Sequence, residues 1–206
     1  MDPTADAPLQ PAVAAEFLAL ADLLETQPDA AWDVPSLCTG WRVREVVAHI
    51  TMPVRYSNDE FMAELEACHF DLTRLSNQVA SRDGELTRSV LVEYLRNTEL
   101  HHWFPPGGNY AAALTHVVIH GLDITEPLGT GRVVTDESIG SVLDELTHRG
   151  AAVHFDFDLD GLHLQATDLD WSFGTGSSVR ATAGDLALLI TGRARPEGRV
   201  EHLTPL

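Results

Sequence analysis

The sequence predicts an α+β protein: an up-down helical bundle over residues 1–153 and a small β-β-α domain over 154–206. Three observations carry this reading. Apolar positions recur at the helical period from Gln10 to Val153. After Phe155 the period falls to two, with Leu162, Leu164 and Ala166 alternating with His163, Gln165 and Thr167, as in a half-exposed strand. Between these regions, Tyr110–Ile124 is apolar all round the helical wheel, the pattern of a helix buried on most sides.

The elements follow in order. Residues 1–9, rich in Pro, Asp and Ala, form a loose leader. From Gln10 to Glu25, the residues Val13, Phe17, Leu18, Leu20, Ala21 and Leu24 mark one helical face, closed by a loop ending at Pro35-Ser36. Thr39 is a candidate N-cap for the next helix, whose stripe is Val43, Val46, Val47 and Ile50, with His49 at its flank and Pro53 beyond its end. A helix from Glu60 to Leu72 follows, then a turn at Ser81–Gly84 and a helix through Leu86, Val90, Leu91, Tyr94 and Leu95. The Pro-Pro-Gly-Gly run at 105–108 breaks the chain before the buried helix, which Pro127 and Gly129 terminate. Ser138–Val153 reads as a further helix. In the C-terminal domain, Trp171–Phe173 and Val179–Ala181 flank a Gly-Thr-Gly-Ser-Ser turn, the pattern of a hairpin. Thr182 and Asp185 then form a capping box for a short helix ending at Gly192.

Composition restricts function. With 13 basic and 31 acidic residues the net charge is −18, which argues against a nucleic-acid binder and against docking on anionic membranes. Solubility or adaptation to salt explains such acidity without a partner. The two cysteines, Cys38 and Cys68, are too few for a disulfide framework. The N-terminus lacks a signal-peptide layout, and no unbroken run of about 18 apolar residues spans a membrane. A soluble cytoplasmic protein is the expectation.

The buried helix carries an anomaly. His116 and His120 stand four apart and Asp123 three further on, so they share one face. Two imidazoles at this spacing can hold one metal ion; equally, they can be core histidines bonded to backbone or to Asp123.

The wider context enters with Cys38-Thr39-Gly40-Trp41, which leads into the helix bearing His49. This run, the later His-Val-Val-Ile-His-Gly-Leu-Asp segment, and a C-terminal stretch ending Leu-Ala-Leu-Leu-Ile-Thr-Gly-Arg resemble, in that order, the mycothiol-dependent maleylpyruvate isomerase family. The resemblance implies a DinB-like four-helix bundle with a small sterol-carrier-like C-terminal domain. It implies a metal held by His49, His116 and His120, with Asp123 behind one of them, and mycothiol as the thiol cofactor. Isomerase members carry Glu where this chain has His116, and the three-His set is closer to the wider DinB-like superfamily.

The chemistry expected of such a site follows from its ligands. Three protein donors on a four-coordinate ion leave one open position, as catalytic sites do. A small thiol bound there would ionise, and the thiolate could add reversibly to a double bond, as an isomerase requires, or remain attached, as in an S-transferase. Neutral imidazoles suit zinc first, with nickel, iron or copper also accommodated. Arg193, in a family-like Gly-Arg pair, is a candidate to meet a substrate carboxylate; a cation closing a helix C-terminus is the alternative. Trp41 and Trp171 read as packing anchors, Cys38 as a small buried hydrophobe and His101-His102 as helix-end residues. The acidic run 156–160 lacks the spacing of a calcium loop. Two rival functions remain: a non-catalytic metal-binding protein, and a carrier of an apolar ligand.

Overall fold

A computed structural model describes residues 7–148, 155–193 and 201–203. The chain divides into two compact units, Met1–Val133 and Val134–Leu206. The division lies earlier than the expected 153, because the helix Asp136–His148 packs on the C-terminal helix Ala183–Ile190. Residues 149–153, included in the expected helix, lie outside the described residues.

The first unit is helical. It contains α1 (Gln10–Glu25), α2 (Val43–Ile50), α3 (Asn58–Ala67), α4 (Leu72–Asp83), α5 (Arg88–Leu95), α6 (Thr98–His101) and α7 (Tyr110–Leu128). Helix α1 packs on α5, α6 and α7, and α2 packs on α4, α5 and α7. Their buried faces supply the core: Phe17, Leu20 and Leu24 from α1, Val46, Val47 and Ile50 from α2, Leu91 and Leu95 from α5, and Leu114, Val118 and Leu122 from α7. Helix α1 with the turn before it, Ala7–Glu25, is long and apolar enough to cross a membrane by length and composition. The expectation drawn from unbroken apolar runs passed over it, because Glu16 and Asp22 interrupt the segment. Val13, Phe17, Leu20, Ala21 and Leu24 of this helix are buried in the bundle.

Helix α7 is the expected buried element, extended to Leu128. Asn109 caps its start by accepting the Ala112 N–H at 3.0 Å. Gly129, at φ 64°, ends it in the left-handed conformation that glycine adopts without a Cβ penalty. The expected Glu60–Leu72 helix is instead two helices. The chain turns at His69 and Phe70, at φ 59° and 60°, and α4 then runs to Asp83, with Leu75, Val79 and Ala80 buried.

The second unit contains α8 (Asp136–His148), β1 (Leu162–Ala166), β2 (Ser172–Gly174), β3 (Ser177–Ala181), α9 (Ala183–Ile190) and β4 (Glu201–Leu203). The strand order is β2-β1-β3-β4. The expected hairpin across Gly174–Ser178 does not form. β2 pairs antiparallel with β1, β3 pairs parallel with its other side, and β1 lies between them. The Gly-Thr-Gly link passes over the start of β1 so closely that a Cβ on Gly176 would lie 2.1 Å from the Gly161 carbonyl oxygen. Thr182 caps the helix as expected, accepting the Asp185 N–H at 3.2 Å, while its hydroxyl donates to Asp185 Oδ2 at 2.8 Å in place of the reciprocal backbone bond of a capping box.

Candidate metal centre

The centre is built where α2 meets α7, entirely within the first unit. The approach to α2 is a tight turn in which the Trp41 N–H donates to the Cys38 carbonyl at 3.0 Å. Gly40 occupies its third position at φ 84°, which a type II turn requires. Ser36 locks this turn, accepting the Cys38 N–H at 3.1 Å and donating to the Trp41 carbonyl at 2.8 Å. The helix cap is Arg42, not Thr39, since Thr39 lies inside the turn. Glu45 accepts the otherwise unpaired Arg42 N–H at 2.6 Å.

The far end of α2 is fixed by a buried cation. Arg55 donates to the Ala48 carbonyl and to Thr51 Oγ1, each at 2.6 Å, and pairs with Asp83 at 3.0 Å. Tyr56 donates to the same carboxylate at 2.6 Å. A positive group on the last carbonyls of a helix is favoured by the helix dipole. It fixes the backbone on either side of His49.

His49, His116 and His120 come together, each offering a ring nitrogen within 4.8 Å of the others. Their ring centroids are 4.8–5.3 Å apart. Burial, reinforced by His120 and Arg55, pushes His49 down from its ordinary value to about 3. Its imidazole is therefore neutral at ordinary pH, the form that binds metals. The spacing also fits an ion. Two nitrogens on a tetrahedral ion, with bonds of about 2.0–2.1 Å, lie about 3.4 Å apart. His49 Nε2 and His116 Nε2 are separated by 3.3 Å.

Behind the cluster sits Asp123, fully buried. Its Oδ2 lies 2.9 Å from His120 Nδ1, so the imidazole can donate there and turn its other nitrogen toward the cluster. The same oxygen accepts from the Cys38 thiol at 3.0 Å, and the Leu37 N–H donates to the Asp123 carbonyl at 3.0 Å. Cys38 is thus a partner of Asp123 rather than an inert hydrophobe, which the sequence reading missed. Its place at the head of the Cys-Thr-Gly-Trp turn was the available signal. Cys38, His120 and Asp123 also gather within 4.8 Å. Ligands on one tetrahedral zinc, with sulfur at about 2.3 Å, keep about 3.3–3.5 Å between them. The separations of 2.9 and 3.0 Å to Asp123 are those of hydrogen bonds.

A cleft of about 260 Å³ opens beside the cluster, with His49 and His116 in its wall together with Phe61, Leu72, Trp103 and Pro105. Trp41 and Trp103 lie against the histidine rings, at 5.0 Å from His49 and 5.7 Å from His116. Trp41 is anchored by donating to Asn77 at 2.8 Å. The remaining candidates lie elsewhere. His101 bonds the Leu95 carbonyl at 2.9 Å and stacks on Phe17. Trp171 donates to Asp144 at 2.9 Å. Arg193 belongs to the second unit, where it donates to the Thr191 carbonyl at 3.0 Å and lies over the Phe155 ring.

Comparisons with known proteins agree with this architecture. Residues 13–66, which include the turn and His49, match the family model of the mycothiol maleylpyruvate isomerase N-terminal domain. No curated protein matches the sequence. A crystal structure of the mycothiol-dependent maleylpyruvate isomerase is similar with a TM-score of 0.59 at 14% identity, over 95% of this chain and 92% of that one. A histidine-to-alanine mutant of that isomerase is similar with a TM-score of 0.59 at 13% identity, over the same shares of the two chains. Residues 13–66 are thus similar to the mycothiol maleylpyruvate isomerase N-terminal domain, and the chain shares the fold of the solved isomerase over 95% of its length.

Proposed function

We propose that this protein is a metal-dependent enzyme working with a low-molecular-weight thiol, mycothiol, as an isomerase or an S-transferase. The observation that carries the reading is the gathering of three imidazole nitrogens within 4.8 Å of one another beside an apolar cleft. His49, His116 and His120 would hold the ion. Zinc suits three neutral imidazoles at tetrahedral spacing, and nickel or iron fit the same donors. When bound, the ion supplies positive charge beside an open position, which lowers the pKa of a thiol placed there. Asp123 fixes the tautomer of His120, and Cys38 holds Asp123 in place from the other side. The cleft admits the small-molecule substrate next to His116 and sheds water around it. Arg193 receives no step in this scheme. A soluble, cytoplasmic protein, with neither nucleic acid nor membrane as a partner, is part of the same proposal.

Cobalt-substituted protein tests the proposal. Mycothiol should produce a sulfur-to-metal charge-transfer band, and chelation should abolish both the band and thiol-dependent turnover. Cobalt bound without a band for any small thiol would replace the enzyme with a passive metal-binding protein. Tight uptake of an apolar ligand by metal-free protein that also lacks thiol-dependent turnover would favour a carrier.

A further inference from the structure

We propose that the cleft selects an uncharged, apolar α,β-unsaturated carbonyl compound over one carrying a carboxylate. The inference rests on the thiol-enzyme reading and adds the class of its second substrate. None of the described residues lining the cleft is an arginine or a lysine. Apart from the two histidines, its wall is mostly apolar, with Phe61, Leu72 and Trp103 among the lining side chains. Leu72 keeps 60% of its surface exposed, so the cleft meets solvent at an apolar lip.

The arginines nearest its tyrosine are engaged elsewhere. Arg55 and Arg82 both lie over the Tyr56 ring, at 5.8 and 5.5 Å. Arg55, however, is bound to Asp83, Thr51 and the Ala48 carbonyl, and Arg82 is held by Glu64 and Asp83 while also donating to the Tyr56 hydroxyl. The Tyr56 hydroxyl itself donates to Asp83. A carboxylate seated among the apolar side chains of this cleft, away from an ion at the histidines, would lose hydration and meet no arginine or lysine, whereas an apolar body would lose only water. Asn58 and the half-buried Ser76 are neutral donors in the wall, suited to a ketone oxygen.

The chemistry balances without an oxidant. The thiol gives up its proton and its sulfur pair forms a bond to the β-carbon. The π pair of the double bond moves onto the carbonyl oxygen as an enolate. From this enolate, return of the proton to the α-carbon completes addition. Isomerisation instead takes rotation about the former double bond, now single, after which the enolate pair re-forms the double bond and expels the thiolate, which recovers its proton.

A matched pair of probes tests the selectivity: 4-phenyl-3-buten-2-one and its ring-carboxylated analogue, turned over by the zinc-loaded full chain with mycothiol. The neutral enone should have the higher kcat/KM by about tenfold or more. Leu72→Arg, at an exposed position that tolerates charge, should narrow the gap by lowering KM for the acid. Equal or better use of the acid by the unmodified protein overturns the proposal. So does a selective loss of acid turnover in Arg193→Ala, since that guanidinium would then be the missing counter-ion. A binding arm separates this failure from failure of the thiol reading. In metal-free, thiol-free protein, unreactive 4-phenyl-2-butanone should quench tryptophan fluorescence, its carboxylated analogue should not, and Trp103→Phe should remove the response. That result without turnover of either enone keeps the selectivity and sinks the enzyme. Equal binding of the two ketones, or binding of neither, sinks the selectivity whatever turns over.

Discussion

At the scale of single residues, the candidate centre gathers three imidazoles from two helices. His49 alone ties α2 to the pair on α7, at 3.3 Å from His116. His49→Ala should therefore remove most of the metal measured by elemental analysis of untagged protein, while His101→Ala should not, because His101 bonds the Leu95 carbonyl. Full metal retention in His49→Ala would end the three-histidine assignment. Asp123→Asn should keep the fold and weaken metal affinity by roughly 10- to 100-fold, the usual effect of removing a carboxylate behind a ligating histidine. Cys38→Ala should weaken it in the same direction by less, since the thiol bonds Asp123 at 3.0 Å and lies farther, at 3.7 Å, from His120 Nδ1. Unchanged affinity in Asp123→Asn would reduce both residues to structural roles. His116, His120 and Asp123 were legible as candidates because polar groups at helical spacing stand out on an apolar helix, and His49 only through the resemblance carried by the run before its helix. Cys38 was not, since its partner lies 85 residues away and nothing local marks the contact.

At the scale of elements, α2 and α7 were legible from their buried apolar residues and from the breakers beyond their ends, although the start of α2 was misplaced because its cap is Arg42 and not Thr39. The split between α3 and α4 was hidden, because the turn uses left-handed His69 and Phe70 rather than the glycine or proline that signals one. The β1–β3 pairing was hidden as well. A parallel pair with another strand between its members in sequence leaves no local pattern, and the Gly-Thr-Gly link reads as an ordinary hairpin turn. The buttress of α2 was equally invisible, since Arg55 and Asp83 are 28 residues apart. It makes a definite prediction. Burial alone would raise the Asp83 pKa, but bonds from Tyr56, Arg82 and Arg55 and the charge of Arg55 outweigh it and hold the carboxyl below its ordinary 3.8. A depressed native pKa stabilises the fold fully above the unfolded value, and that contribution fades as pH falls through the native one. Asp83→Asn should thus cost about 3 kcal/mol near neutrality, because it leaves the buried Arg55 without its counter-ion. Denaturant titrations should show the deficit shrinking as pH drops below the ordinary carboxylate range. A deficit independent of pH would mean that packing, not charge, sets the role of Asp83.

At the scale of the whole molecule, the imbalance of charge decides how stability responds to salt. All 13 cations are arginines, against 31 acidic side chains. Arg42, Arg88 and Arg96 pair on the surface with Asp33, Asp29 and Asp22. Pairs of this kind contribute about 0–1 kcal/mol each, and salt screens them. Salt also screens the repulsion among the excess carboxylates, which a net charge of −18 makes the larger effect. The Debye length falls from about 10 Å at 0.1 M to about 3 Å at 1 M, a range that covers the spacing of neighbouring surface charges. Sodium chloride is the informative salt, because sulfate would also strengthen apolar burial. Raising it from about 0.05 to 1 M should increase the Tm of metal-free protein. For a chain of this length each kcal/mol of relieved repulsion is worth about 2–4 °C. A Tm that fell steadily over the same range would show that the arginine pairs outweigh the repulsion, and the acidity would then need a specific partner rather than solvent to explain it.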